Sequence, residues 1–493
     1  MRIQIEHLWR AVPFLLVIWI SSLAPLPALD FWWHLKAGEI IWTTGSIPAT
    51  DIFSYTAAGK TYLLQNWLGE VILYLIYRSG GPALVIFFNT LLLVGTLLPV
   101  YLLCLRHADT LRAGILAACL AAVPLACQGN IRPQVFSFLL FAWFYFVLSE
   151  FRDRNRNLLW LLPVLMAFWV NLHGAFILGI VLVVLYLGLD LAAPLFEKGP
   201  RLAGRQRVTL LLALVLTTTA TLVNPQVTHI YTYVADVASD PVSRRYVVEW
   251  RPPQVDNLGD VLRFFGPFLL GIFILIRAKT RPDLRDTGLF LALALFALTS
   301  RRNAAWFALV AAPIVASHFR IGLPFRLGEL QTRRAQGFNL VLAGLLMVLT
   351  VLGLPWFHRG TGQDRDLSLL EAGLPVRAAD FILSRGIKGR IFHPQRYGDY
   401  LIWRLHPVNG TFLDGRVHLF SMEVAEDYFA ILQGNPGWED IAARYSIRYL
   451  LLDRNEPDEK KLLKALTGNR RWQKLYEDKK SVLFGQLGPP ASS

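Results

Sequence analysis

Eleven apolar stretches separated by short basic loops constrain this chain more than any other feature of its sequence. They lie near residues 11–29, 83–105, 112–127, 134–150, 157–171, 175–195, 207–223, 259–276, 287–299, 303–319 and 338–357. Several approach the roughly 20 residues with which a helix crosses the hydrocarbon core of a bilayer. A helix is also the form that satisfies its own backbone polar groups there. With 54% of residues hydrophobic, only 17% charged and a mean hydropathy of +0.42, the composition is that of a polytopic membrane protein and excludes an ordinary soluble one. The first stretch runs from Ala11 to Leu29 without a charge. It is too long for the apolar region of a signal peptide and more spans follow it, so it reads as a retained anchor.

A net charge of +14 would ordinarily suggest nucleic acid. The basic residues, however, gather in alternate inter-span loops: Arg2 and Arg10; Arg106 and Arg112; Arg152, Arg154 and Arg156; Lys198, Arg201, Arg205 and Arg207; Arg277, Lys279, Arg281 and Arg285; Arg320, Arg326, Arg333 and Arg334. This is the positive-inside pattern, so the charge reports topology and implies no nucleic-acid partner. It puts the N-terminus in the cytoplasm and the stretch 30–70 outside, as the first extracytoplasmic loop. An odd number of spans then places residues 358–493 outside too, after a membrane domain over 1–357. Cys104, Cys119 and Cys127 lie in or beside apolar spans and offer neither ligand spacing nor a disulfide framework.

The polar oddities collect on the outer face. The stretch 30–70 carries the acids Asp30, Glu39, Asp51 and Glu70 against only Lys36 and Lys60, with turn signals at Thr44-Gly45-Ser46, Ile47-Pro48 and Ala58-Gly59-Lys60. Trp32, Trp33 and His34 follow Asp30 at headgroup level. They read either as an aromatic belt or as rings that stack on a sugar or isoprenoid. Trp67 to Tyr77 reads as an amphipathic or re-entrant helix. Further along, Arg132, Arg251, Arg301 and Arg302 stand on the outer face against the positive-inside bias. They read as a pocket for a phosphate or pyrophosphate, which a guanidinium fork suits, or as snorkelling side chains and ion pairs to Glu249 or Asp256. His173, in Asn171-Leu-His-Gly174, could meet a phosphate, a metal or a backbone carbonyl, and no second histidine or cysteine stands at zinc-ligand spacing. Asp30, Asp51 or Glu70 could hold Mg²⁺ or Mn²⁺, although nothing in the sequence requires a metal.

Past Trp356 the composition changes to that of a small α/β domain. Helices are expected at 376–385, 422–433, 438–445 and 459–466, strands at 390–393, 410–413 and 449–453, a helix or strand at 400–405, and a closing hairpin of 473–476 with 481–484. Tyr397-Gly-Asp399 and Asp414-Gly-Arg416 read as tight turns that either project side chains or serve the fold alone. The tail 488–493 reads as disordered.

Five patterns stand together: Asp-x-Trp-Trp-His-Leu at 30–35, Gly-x-Ile-Pro-x-x-Asp-x-Phe-Ser at 45–54, Arg-Pro-Gln at 132–134, Asn-Leu-His-Gly at 171–174 and Asp-Gly-Arg at 414–416. With them the chain resembles a family of bacterial membrane proteins within the GT-C glycosyltransferase superfamily. The resemblance implies an α-helical polytopic fold of about eleven spans with a small C-terminal extracytoplasmic α/β domain, in the bacterial inner membrane. It implies transfer of a sugar from a polyprenyl-phosphate-linked donor to a glycan, lipid or protein acceptor on the outer face, among membrane lipids. Asp30 would be the general base, with Asp51 and Glu70 in the same catalytic site as acceptor or metal ligands. Trp32, Trp33, His34, Arg132, His173, Arg251, Arg301, Arg302, Asp399, Asp414 and Arg416 would contact substrate. Here Asp-Phe-Trp-Trp stands where better-known branches carry an Asp-Glu pair. Two other classes compete: a non-catalytic assembly protein with the same fold, and a transporter of lipid-linked intermediates. The transporter would need charges deep within its spans.

Overall fold

The structure is a computed structural model that describes residues 4–196, 201–320, 333–357 and 363–487; Arg2, Lys198, Arg326 and the tail 488–493 lie outside the described residues. Each apolar stretch carries a helix: Ile5–Leu23, Trp67–His107, Leu111–Gln128, Gln134–Arg154, Leu161–Leu172, Ile177–Phe196, Gly204–Ala220, Gly266–Arg277, Leu284–Thr299, Ala304–His318 and Arg333–Leu352. Among the described residues, six helices are long and apolar enough to cross a membrane by length and composition, and others are shorter, such as Leu161–Leu172 with 12 residues. The first helix stops at Leu23 rather than running to Leu29. Pro25 and Pro27 lie just beyond, and a proline disfavours helical geometry in the residue before it and cannot donate to the turn behind it.

The chain divides into two compact units. The first comprises residues 1–25, 79–230 and 248–369. Its centre is the helix Ala304–His318, in which every residue from Ala304 to Ala316 is buried. Val208, Leu340, Val341 and Met347, on the helices Gly204–Ala220 and Arg333–Leu352, are mostly exposed. A surface so apolar belongs against lipid. The inter-helix loops fall into two sets that pair among themselves. In one, Arg106 meets Glu150, Arg152 meets Asp283 at 2.6 Å, Arg285 meets Asp153 at 3.2 Å and Arg207 meets Asp190 at 2.8 Å. In the other, Gln128 Nε2 donates to the Arg301 carbonyl, Asn171 Nδ2 to the Val223 carbonyl and Ser300 Oγ to the Glu249 carbonyl. These are the two groups of loops into which the charge distribution sorts the chain.

The second unit comprises residues 26–78, 231–247 and 370–493. Its sheet has the strand order β1-β2-β4-β3, with β1 Arg390–Phe392, β2 Ile447–Asp453, β3 Trp472–Glu477 and β4 Ser481–Gln486. β1 runs parallel to β2, and the other pairings are antiparallel. Helices at Val376–Ser384, Met422–Leu432, Trp438–Arg444 and Lys460–Leu466 fall close to their expected positions, whereas Gln395–Leu405 starts five residues before the expected 400–405, so Tyr397-Gly-Asp399 lies in a helix and not in a tight turn. The stretch 410–413 differs: instead of a ladder strand it makes a single bridge, Thr411 to Ser54.

The beginning of the 30–70 stretch is also more regular than its turn signals suggest. Phe31–Thr44 is a helix, ended by Gly45 at φ +67°, whose N–H bonds the Ile41 carbonyl. Glycine adopts that conformation without the Cβ penalty, which makes it the common helix stop. The helix is amphipathic toward the α/β elements. Trp33, Ala37, Ile41, Phe53, Tyr62 and Leu64 share one core with Phe392, Ile402, Phe412, Tyr428 and Leu450. Gly38 permits the closest contact, since a Cβ there would collide with the Glu70 carbonyl.

Candidate functional site

Asp30 sits at the entry to the helix Phe31–Thr44 with φ +67° and ψ −51°, and the Phe31 N–H bonds back to the Leu29 carbonyl at 2.9 Å. That is a γ-turn of the rare positive-φ kind, strained for any residue with a side chain. Within the pattern Asp30–Leu35 only Asp30 is not buried. The approach to it is pinned residue by residue. Leu26 bridges Leu370, the Ala28 N–H donates to Glu371 at 2.6 Å, and Trp32 Nε1 donates to the Pro27 carbonyl at 2.9 Å.

The Asp30 N–H donates to Asp399 Oδ2 at 2.5 Å, and the Gly415 N–H to Asp399 Oδ1 at 2.8 Å. Burial, and then the nearby charges of Asp414 and Asp30, hold the Asp399 carboxyl well above the usual carboxylate range. Gly415 is the floor of this arrangement. A Cβ there would lie 2.6 Å from Asp399 Oδ2 and 2.8 Å from Asp30 Oδ1.

Next to it, Arg416 is fully buried. Its Nε and Nη2 grip Asp414 at 2.9 and 2.7 Å, and its Nη1 reaches Asp51 at 2.5 Å. The guanidinium lies against the rings of Phe53, Tyr62 and Trp33. Burial opposes its charge, and Asp414 followed by Asp51 more than offsets that. Asp51 also caps the Phe53 and Ser54 amides and accepts from the Ser54 hydroxyl. Glu70, with no exposed surface, accepts from or donates to His34 Nδ1 at 2.9 Å. Trp32 and Trp33 are packed inside the unit, Trp32 edge-on to Phe31 and Tyr400. The structure therefore brings Asp30, Asp51, Asp399, Asp414 and Arg416 into one neighbourhood, and leaves Asp30 as the partly exposed acid among them.

Four residues that the sequence did not single out complete the surroundings. Tyr62 packs beside His418, and the Tyr233 hydroxyl lies 3.4 Å from His418 Nε2. His393 is wholly buried; its Nε2 accepts from the Phe412 N–H at 3.2 Å and its Nδ1 donates to the Pro394 carbonyl at 3.0 Å. Burial pulls its pKa from 6.5 to about 4. Because the folded value lies below the unfolded one, the unfolded chain binds the extra proton between pH 6.5 and 4, and stability falls as pH drops through that window. The loss attributable to His393 is about 3 kcal/mol at the acid end. Thermal unfolding from pH 7 to 4 should show it, and a His393→Gln variant should flatten that part of the profile.

The other predicted residues belong to the first unit. Arg132 pairs with Glu249 at 2.8 Å, and that neighbour holds the Glu249 carboxyl below its usual range. Arg301 pairs with Asp260 at 2.8 Å and reaches Gln254, and Arg302 lies over the Trp250 ring. Arg251 is exposed, and its carbonyl accepts from the Arg301 N–H. Trp169 Nε1 donates to Ser137 Oγ, so that hydroxyl donates onward to His173 Nδ1, which also accepts the Ala175 N–H. With Nδ1 an acceptor twice over, the neutral ring carries its hydrogen on Nε2. Burial, then Arg302 and Arg132, lower its pKa to about 3.

The residues fit a metal poorly. Asp51 already faces a guanidinium, Glu70 faces His34, and among the described residues no three His, Cys, Asp or Glu side chains form a group that could hold an ion.

No family model matches the sequence, and no curated protein matches it. Solved structures do. The apo oligosaccharyltransferase of Archaeoglobus fulgidus superposes with a TM-score of 0.55 at 12% identity, over 91% of this chain and 69% of that one. The oligosaccharyltransferase AglB from Archaeoglobus fulgidus, in complex with an inhibitory peptide and a dolichol-phosphate, gives 0.52 at 12% identity over 90% and 69%. The arabinofuranosyltransferase AftD from Mycobacteria, as its R1389S mutant, gives 0.54 at 15% identity over 97% of this chain and 41% of that one. At such identities the likeness is one of fold alone: the chain shares the helical architecture of these structures and carries a small C-terminal sheet.

Proposed function

We propose that this protein is a glycosyltransferase that moves a sugar from a polyprenyl-phosphate-linked donor to an acceptor on the outer face of the membrane, with Asp30 as general base. The observation that carries this reading is the Asp30 turn: a partly exposed carboxylate in a strained backbone, whose own N–H is held by the buried Asp399. Strain of this kind costs about 1–3 kcal/mol and persists only where the surroundings over-determine it, which is characteristic of functional sites. Glycosyl transfer needs a carboxylate near the acceptor hydroxyl to accept its proton. The leaving lipid phosphate needs cationic and N–H donors fixed in advance. Within the first unit, Arg132, Arg302 and His173 lie close enough to interact and carry groups of that kind. The fold likeness to enzymes named for oligosaccharyl and arabinofuranosyl transfer supports the same class. We assign Asp51, Asp414 and Arg416, which are buried against one another, to holding the loops that frame Asp30. Glu70 and His34 join the helix Phe31–Thr44 to the helix that begins at Trp67. The N-terminus would be cytoplasmic and the sheet-bearing unit extracytoplasmic, as the positive-inside pattern requires.

The deciding experiment offers radiolabelled polyprenyl-phosphate sugars to the purified protein in nanodiscs, with and without divalent metal, beside Asp30→Asn. Label leaving the lipid only with Asp30 intact supports the reading. No consumption of any donor by the wild type would favour a non-catalytic assembly protein. In the same assay Gly415→Ala should lower kcat about 100-fold, because the added methyl displaces both the Asp30 and Asp399 carboxylates and a misplacement near 1 Å has that effect. Its circular dichroism should match that of the wild type.

A further inference from the structure

We propose that Asp399 is a positioning residue: by accepting two backbone N–H groups at once, it locks the strained Asp30 turn to the Asp414–Arg416 turn and so aims the Asp30 carboxylate. This inference rests on Asp30 being the base and adds a residue that acts through it. Asp399 has no exposed surface, so a substrate cannot reach it without local opening. Its two oxygens face main chain, Oδ2 toward the Asp30 N–H at 2.5 Å and Oδ1 toward the Gly415 N–H at 2.8 Å.

The fold is shaped to deliver that carboxylate. Asp399 lies in the first turns of the helix Gln395–Leu405, directly after Gly398. A Cβ at Gly398 would stand 2.6 Å from the Leu413 carbonyl and 3.0 Å from Asp414 Cα. Glycine therefore lets the helix backbone press onto the 413–414 turn, and that approach puts the Asp399 carboxylate between the two amides. Gly415 works the same way from below, leaving room for both carboxylates. A pair of hydrogen bonds from two chain segments to one buried side chain fixes a relative position that neither segment holds alone. Asp399→Asn keeps the shape and leaves one oxygen, so its amide group faces an N–H it cannot accept from.

Two readouts test this. Hydrogen–deuterium exchange on the full-length protein in nanodiscs needs no turnover. Peptides spanning residues 29–34 should exchange at least about tenfold faster in Asp399→Asn, while those over β2 and β4 stay as in the wild type. In the transfer assay, kcat should fall about 100-fold with the KM for the lipid donor unchanged. Adding Asp399→Asn to Asp30→Asn should bring no further loss, because two residues acting through one group are not additive. Should Asp399→Asn fail to fold, Gly415→Ala disturbs the same pair from the other side and must show the same exchange signature. Unchanged exchange at 29–34 would overturn the proposal, as would a raised KM at full kcat, which marks a substrate contact. A wild type that consumes no donor would remove the catalytic reading, while the exchange result would still decide whether Asp399 locks the turn.

Discussion

Asp30→Asn is expected to lower sugar transfer by about 10²–10⁴-fold, the usual contribution of a positioned general base, with the fold unchanged. The second half of that expectation follows from two backbone hydrogen bonds of the Asp30 turn. These bonds, to Asp399 and between Phe31 and Leu29, run through the backbone and survive the substitution. Asparagine is also among the few residues that tolerate positive φ. What changes is the carboxylate itself, the one partly exposed acid of its motif. Thermal unfolding and exchange at residues 29–34 should match the wild type while label stays on the lipid. Wild-type turnover in a purified, folded Asp30→Asn preparation would take the base role away from this residue.

Arg416→Met should be the most destabilising single change in the sheet-bearing unit, by about 3–5 kcal/mol, the penalty of removing one partner from a buried ionic group. Arg416, Asp51 and Asp414 have no exposed side-chain surface. Without the guanidinium two carboxylates would be left buried and facing each other, and the Phe53, Tyr62 and Trp33 rings would lose their cation. An apparent Tm lower by about 10 °C or more in detergent is the expected reading. The same change combined with Asp51→Asn and Asp414→Asn should recover part of the loss, since replacing every charge removes the unpaired remainder. Stability equal to the wild type in Arg416→Met would show that the triad is not what holds residues 51–56 to 411–416.

The two predictions differ in what could have been read in advance. Asp30 was legible because it ends an uncharged stretch and opens an aromatic motif, and an acid at that point is conspicuous. Nothing local marked its backbone as strained. That conformation exists because Glu371, Asp399 and Gly415, more than 340 residues away in the chain, meet residues 28–30. Likewise Asp414-Gly-Arg416 looked like an isolated turn, and its partner Asp51 looked like a separate acid in an outer loop. His393 and Tyr62 carried no pattern at all. A buried histidine between an amide and a carbonyl is visible only once both are in place.

The sequence by itself determined the eleven helical stretches, the two groups of loops and nearly every element of the α/β region, because hydropathy, helical spacing, proline and glycine act within a few residues of where they stand. The tertiary structure decided that the 30–70 stretch is part of the sheet-bearing unit, led by a helix rather than a free loop. It also decided which of the candidate side chains are buried in ion pairs within the fold, as Asp51, Asp414 and Arg416 are. That division depends on hydrogen bonds and ion pairs between distant segments, whose partners are chosen by packing and carry no local signature.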